Sequence, residues 1–125
     1  MTAIHAHIDR HAAERPDAPA LRDSDGIAFD WAGYKAATEA AAALLTEHGV
    51  GPGDRVVVIA ENCAALAALV FGASRIGVRI VPVNARMTEA EIARIVAHCR
   101  PRATVFATGG SPAAAAHAGE APRHR

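Results

Sequence analysis

Three histidines crowd the first helical stretch of the chain, and two of them, His7 and His11, stand four residues apart. On a helix that spacing turns both imidazoles to one side, where they can face one metal ion, with His5 nearby. Nothing supplies a third ligand, so the pattern reads as surface histidines on an alanine-rich helix and no metal site is assigned. Glu61 and Asn62 follow the most apolar strand candidate, a place where a carboxylate can do acid–base work. At the start of a helix the same two residues favour the dipole and the cap, which accounts for them without chemistry. Cys63 and Cys99 have no CxxC partner and fall in apolar helical patterns, so buried free thiols are expected. Lys35 is the only lysine among 13 basic residues. Any step that needs an ammonium must use it or borrow one from another chain. No Ser-His-Asp or Cys-His order suits nucleophilic catalysis, and no catalytic residue is assigned.

The elements that must position these residues belong to one domain's worth of chain, 125 residues. Thirteen basic residues balance 13 acidic ones, so no overall field recruits nucleic acid or an anionic membrane. The uncharged helical run 62–74 is shorter than the roughly 20 residues that span a bilayer. The N-terminus lacks the hydrophobic stretch of a signal peptide. A cytoplasmic protein with reduced thiols is the expectation.

Thr2 is placed to cap a helix running to about Arg15, with Ile4, Ile8 and Ala12 on its apolar face and Pro16 ending it. Ala18 to Arg22 and Ile27 to Phe29 flank Asp23-Ser24-Asp25-Gly26, the pattern of a β-hairpin. Asp30 then caps a helix from Trp31 to His48, whose apolar face is read as Trp31, Tyr34, Ala37, Ala41, Leu44 and Leu45, with Gly49 as its left-handed exit. From Arg55 the apolar runs Arg55–Ala60, Arg79–Val83 and Ala103–Ala107 recur at a regular interval of 24 residues, each interval holding one helix. That rhythm predicts a βαβαβ parallel sheet whose strands are buried on both faces. The first intervening helix is expected from Cys63 to Ile76, stopped by Gly77. The second opens with the capping box Thr88-Glu89-Ala90-Glu91 and buries Ile92, Ile95, Val96 and Cys99. The fold class is therefore α/β: an N-terminal hairpin and helices, then βαβαβ units. Residues 1–108 form the domain, and the alanine-, proline- and glycine-rich segment 109–125 is expected to be a disordered tail.

Several stretches, taken in order, carry a family resemblance. They are Ala13-Glu14-Arg15-Pro16-Asp17-Ala18-Pro19-Ala20-Leu21, Asp30-Trp31-Ala32-Gly33-Tyr34, Gly53-Asp54-Arg55-Val56 and Val83-Asn84-Ala85-Arg86-Met87. Together they resemble the N-terminal part of AMP-forming acyl-CoA synthetases, in the adenylate-forming superfamily, over about residues 4 to 108. The resemblance implies a reaction in which a carboxylate attacks the α-phosphate of ATP and coenzyme A then displaces AMP. It also implies a fragment of that fold. ATP, magnesium and coenzyme A are the cofactors of the family, and none is assigned to residues of this chain with a catalytic role.

In such enzymes a Ser/Thr/Gly-rich loop ending in a lysine holds the phosphates. Thr108-Gly109-Gly110-Ser111-Pro112 has two glycines but no paired threonines and no lysine after it, and is read as linker. A truncated ligase without activity of its own is the expectation, completed by a complementary C-terminal fragment or self-associating through an exposed sheet edge. The alternative is a small non-catalytic α/β binding or interaction module. One residue is carried over as a ligand contact. Arg86 occupies the position of the arginine that, in some of these ligases, lies where the nucleotide phosphate of coenzyme A docks. A strand's carboxyl end suits a phosphate. Asn84 is expected to fix the turn before it.

Overall fold

A short turn shows how local chemistry starts the sheet. Gly53 adopts φ +83°, open to glycine at no steric cost. Asp54 closes the turn by accepting from the Gly51 N–H at 2.9 Å, and its carbonyl accepts the Arg79 N–H, which aligns two strands. The computed structural model describes residues 3–23, 26–61, 64–108 and 111–120. Along the chain run α1 (His5–Glu14), β1 (Pro19–Arg22), β2 (Ala28–Asp30), α2 (Trp31–Glu47), β3 (Arg55–Ala60) and α3 (Ala64–Arg75). Then follow β4 (Arg79–Asn84), α4 (Glu89–Cys99), β5 (Ala103–Phe106) and α5 (Pro112–Glu120). β1 and β2 pair antiparallel as the hairpin, and β4-β3-β5 form a parallel sheet in that order. The mixed α/β class is as expected. Among the described residues no helix is long and apolar enough to cross a membrane.

The central strand feeds two cores. Val56, Val58 and Ala60 point to Leu45 of α2 and Leu69 and Ala73 of α3, while Val57 and Ile59 point to Ile92 of α4 and Ala114 of α5. This is the two-residue period of a strand with both faces covered. Only β3 behaves so. β4 and β5 are the outer strands, and their side chains are mostly half-buried or exposed, against the expectation that all three would be buried on both faces. A third cluster joins Ile8, Tyr34 and Ala68 to the hairpin residues Leu21 and Phe29.

The helix ends follow their capping chemistry. Asp30 accepts from Gly33 N at 2.7 Å, and Gly49, at φ +77°, turns α2 outward while Val50 N–H reaches Leu45 O. With the Gly49 N–H on Thr46 O, that last bond makes a Schellman exit. Thr88 and Glu91 form the reciprocal capping box of α4. The expected Thr2 cap lies outside the described residues, as do Ser24 and Asp25 of the hairpin turn and Cys63. Ile4 precedes α1 without a side-chain cap and is 49% exposed, so it leaves the apolar face it was assigned.

The buried line of α2 also differs from the expectation. It runs through Tyr34, Thr38, Ala42 and Leu45, and Leu44 faces out. Thr38 is fully buried because it has two partners: its hydroxyl donates to Lys35 O and accepts from Arg75 Nε at 3.0 Å. Arg75 meanwhile forks onto Asp9, Nη2 to Oδ1 at 2.6 Å and Nη1 to Oδ2 at 3.1 Å, tying α1 and α2 to α3.

Segment 109–125, expected as a disordered tail, instead carries α5 where it is described. Ser111 accepts from Ala114 N as its N-cap with Pro112 at the first helical position, Ala114 is fully buried, and His117 Nε2 donates to the carbonyls of Ala85 and Met87.

The Asp9–Arg75 fork makes stability pH-dependent. Its hydrogen bond from Arg75 holds the Asp9 carboxyl below its ordinary value. A lowered folded value means that the contribution is present above the unfolded value, about 3.9, and is lost as pH falls through the folded one. Urea midpoints measured from about pH 7 down to about pH 3 should fall less steeply at the acid end for Asp9→Asn than for the native chain. Parallel curves would remove Asp9 from the acid response.

Candidate functional site at the carboxyl edge of the parallel sheet

Each parallel strand sends one polar side chain to a common place beyond its carboxyl end. Glu61 follows the last residue of β3, Arg86 sits in the turn after β4, and Ser111 precedes α5 after β5. The ladder keeps these ends together: Ala85 N–H reaches Ala60 O, and Ala107 N–H reaches Ile59 O. Asn84 Oδ1 accepts from Arg86 N at 2.9 Å and so fixes the turn. Glu61 Oε1 accepts from Arg86 Nε at 2.8 Å, and Oε2 accepts from the Ser111 hydroxyl. Those bonds, that of Ser111 first and that of Arg86 second, hold the Glu61 carboxyl below its usual range. It is therefore a poor proton acceptor at neutral pH.

The arrangement suits anion binding better than bond making. Arg86 is largely exposed, and only its Nε is engaged, which leaves both Nη groups facing solvent without a protein partner among the described contacts. Ser111 is 4% exposed, and its oxygen already caps α5, so it is not an available nucleophile. Glu61 stands just before the stretch that leads into α3. It turns to Arg86 and Ser111, while Ala64 N–H at the start of α3 donates to Asp23 Oδ2 at 3.4 Å from the hairpin. Asn62, Gly109 and Gly110 lie outside the described residues.

The other sequence candidates are dispersed. Lys35 pairs with Glu39 on α2 at 3.5 Å. His5 bonds Ser74, His11 stacks on Trp31 at 4.6 Å between ring centroids, and His7 is exposed. The spacing of His7 and His11 does not bring them to a shared partner: His11 turns to the indole. Cys99 is a half-buried free thiol at the end of α4. The residues that sequence reasoning missed are Ser111 and His117. A signal for the first was present: serine before proline ahead of an alanine run is a cap followed by a first helical turn.

Comparison with known proteins accords with this layout. The family described as AMP-binding enzyme matches residues 8–125, through α5 and the segment after it. The chain is similar to 4-coumarate–CoA ligase 2 of Oryza sativa subsp. japonica, 38% identical over 90 residues, which cover 71% of this chain and 16% of that protein. It is also similar to the long-chain-fatty-acid–CoA ligase FadD13 of Mycobacterium tuberculosis, 26% identical over 92 residues, 74% of this chain and 18% of that one. Among solved structures, the inhibitor-bound N-terminal domain of FACL13 from Mycobacterium tuberculosis superposes with a TM-score of 0.83 at 25% identity, covering 93% of this chain and 29% of that one. A long-chain-fatty-acid CoA ligase from Rhodopseudomonas palustris gives 0.80 at 29% identity, over 97% of this chain and 30% of that one. The chain thus spans less than a fifth of the two curated relatives. With the fold, the strand ends and the matched residues in agreement, the chain belongs to the AMP-binding enzyme family.

Proposed function

We propose that the chain supplies the amino-terminal part of an AMP-forming acid–thiol ligase of the acyl-CoA synthetase type, and that alone it is not catalytic. The observation that carries this is the exposed Arg86 guanidinium beyond the parallel strands of an AMP-binding family chain, held through Nε by Glu61. Open α/β sheets take ligands at that edge. In the whole ligase Arg86 offers its two Nη groups to a phosphate of coenzyme A. Glu61 orients the fork, and Ser111 and Asn84 orient Glu61 and the turn. ATP and magnesium are assigned to residues of a complementary segment, since Lys35, the only lysine here, stands on α2 beside Glu39 and matches no catalytic position implied by the resemblance. The partner is that complementary segment, or in its absence a second copy through the sheet edge, in the cytoplasm.

The purified chain should show no carboxylate-dependent pyrophosphate exchange with medium-chain or aromatic acids. Exchange that disappears in Lys35→Ala would overturn the assignment of inactivity. With activity restored by a complementing segment, Arg86→Ala should weaken coenzyme A in thioester formation by about 1–3 kcal/mol and spare adenylate formation. Equal loss in both half-reactions would remove Arg86 from the thiol-donor site.

A further inference from the structure

The opposite end of the sheet carries a second concentration of arginines. Arg55 opens β3, Arg79 opens β4 beside it in register, and Arg100 and Arg102 flank Pro101 at the entry to β5. Arg55, Arg100 and Arg102 line an open groove of about 450 Å³ together with Cys99 and Asp54, the only acidic residue in it among the described residues. Asp54 Oδ2 is already occupied by Gly51 N–H. Arg55 spends Nη1 on the Cys99 carbonyl, which neutralises the negative end of α4, and Arg102 spends Nε on Gly49 O. The Arg55 Nη2, both Arg102 Nη groups and the whole Arg100 guanidinium have no protein partner among the described contacts.

Two features oppose stability here and ask for a reason. A formally neutral chain places like charges on adjacent strands, which repel. Arg100 also ends α4 in the left-handed region, φ 49°, the only described residue other than glycine to do so. That conformation swings Arg100 out of the helix axis and to the same groove as Arg102. Helices commonly end in this conformation, most often on glycine; here it is taken by a charged side chain that lines the groove. Guanidinium forks match phosphate oxygens in pairs, and the groove is closed on one side by the Gly53-Asp54 turn.

We propose that this amino-terminal groove binds a small, multiply charged phosphate anion of the pyrophosphate class through Arg100, Arg102 and the free side of Arg55. The site is separate from Arg86, at the other end of the same strands, and does not depend on the ligase assignment.

The test is calorimetric titration of inorganic pyrophosphate into the chain, with amide chemical shifts of residues 99–103 as the positional readout. Saturable one-to-one binding that shifts those amides is expected. Arg100→Gln with Arg102→Gln should weaken it at least tenfold while the anion-free chain still unfolds cooperatively, and Arg102→Lys should retain more affinity than Arg102→Gln. Arg22→Ala, an exposed arginine on the hairpin, should leave it unaltered. Absence of saturable binding would overturn the proposal, as would affinity preserved in the double variant or shifts confined to other residues. Capture on phosphatidylglycerol vesicles without pyrophosphate binding would also overturn it, assigning the charge to a lipid surface.

Discussion

Gly72→Ala is expected to lower the melting temperature by about 10 °C, although alanine is the better helix former. A Cβ at this position would lie 2.6 Å from Thr38 O, 2.8 Å from Ala41 Cβ and 3.0 Å from Ala42 N. Two of these atoms are backbone, so no rotamer change relieves the contact, and α2 and α3 have to move apart. That movement withdraws Leu69 and Ala73 from Leu45 and Val58 and stretches the Arg75–Thr38 bond. Overpacking of a tight core costs about 1–3 kcal/mol, at the upper end where backbone is struck. The gain in helix propensity returns about 1 kcal/mol, which leaves a net loss near 2 kcal/mol. Thermal unfolding by circular dichroism measures it directly. An unchanged or higher melting temperature would show that the helix crossing is loose.

The second large effect separates two adjacent leucines. Leu45 is 2% exposed and Leu44 is 45% exposed. Leu45→Ala should destabilise by about 2–5 kcal/mol, since the methyls removed leave a cavity among Val50, Val56 and Val58. Leu44→Ala should change stability by less than about 0.5 kcal/mol. Urea denaturation of the pair is the measurement. Similar losses at both positions would mean that the rotation of α2 about its axis is wrong.

That rotation is also where the sequence pattern was least informative. A stretch holding Ala36, Ala37, Ala40, Ala41, Ala42 and Ala43 is almost uniformly apolar, so periodicity barely distinguishes one face from the next. What orients α2 is Thr38, a polar residue whose burial is made tolerable by Arg75, and a bond across 37 positions is invisible to local pattern. Local signals fared better. The caps at Asp30 and Thr88, the left-handed glycines and the hairpin were legible because each rests on residues a few positions apart. Strand order was not legible: the three apolar runs look alike, yet β3 alone is enclosed and the other two flank it.

The candidate site was half legible. Asn84 stood out through its turn and Arg86 through the family resemblance, whereas the tie of Glu61 to Ser111 spans 50 positions. The alanine run after Ser111 hid α5, because small side chains announce little burial even where Ala114 is fully enclosed.

The alternation along β3 has a thermodynamic consequence. Val56, Val58 and Ala60 belong to one cluster and Val57 and Ile59 to the other, so neither core can open while the strand stays fixed in the other. The two sides share the backbone of the sheet, so a shift of β3 on the α5 face also displaces the residues that meet α2 and α3. A segment docking at the carboxyl edge therefore acts on the far layer through the sheet as a whole, since Ile80 and Val105 join one cluster while Val83 and Phe106 join the other.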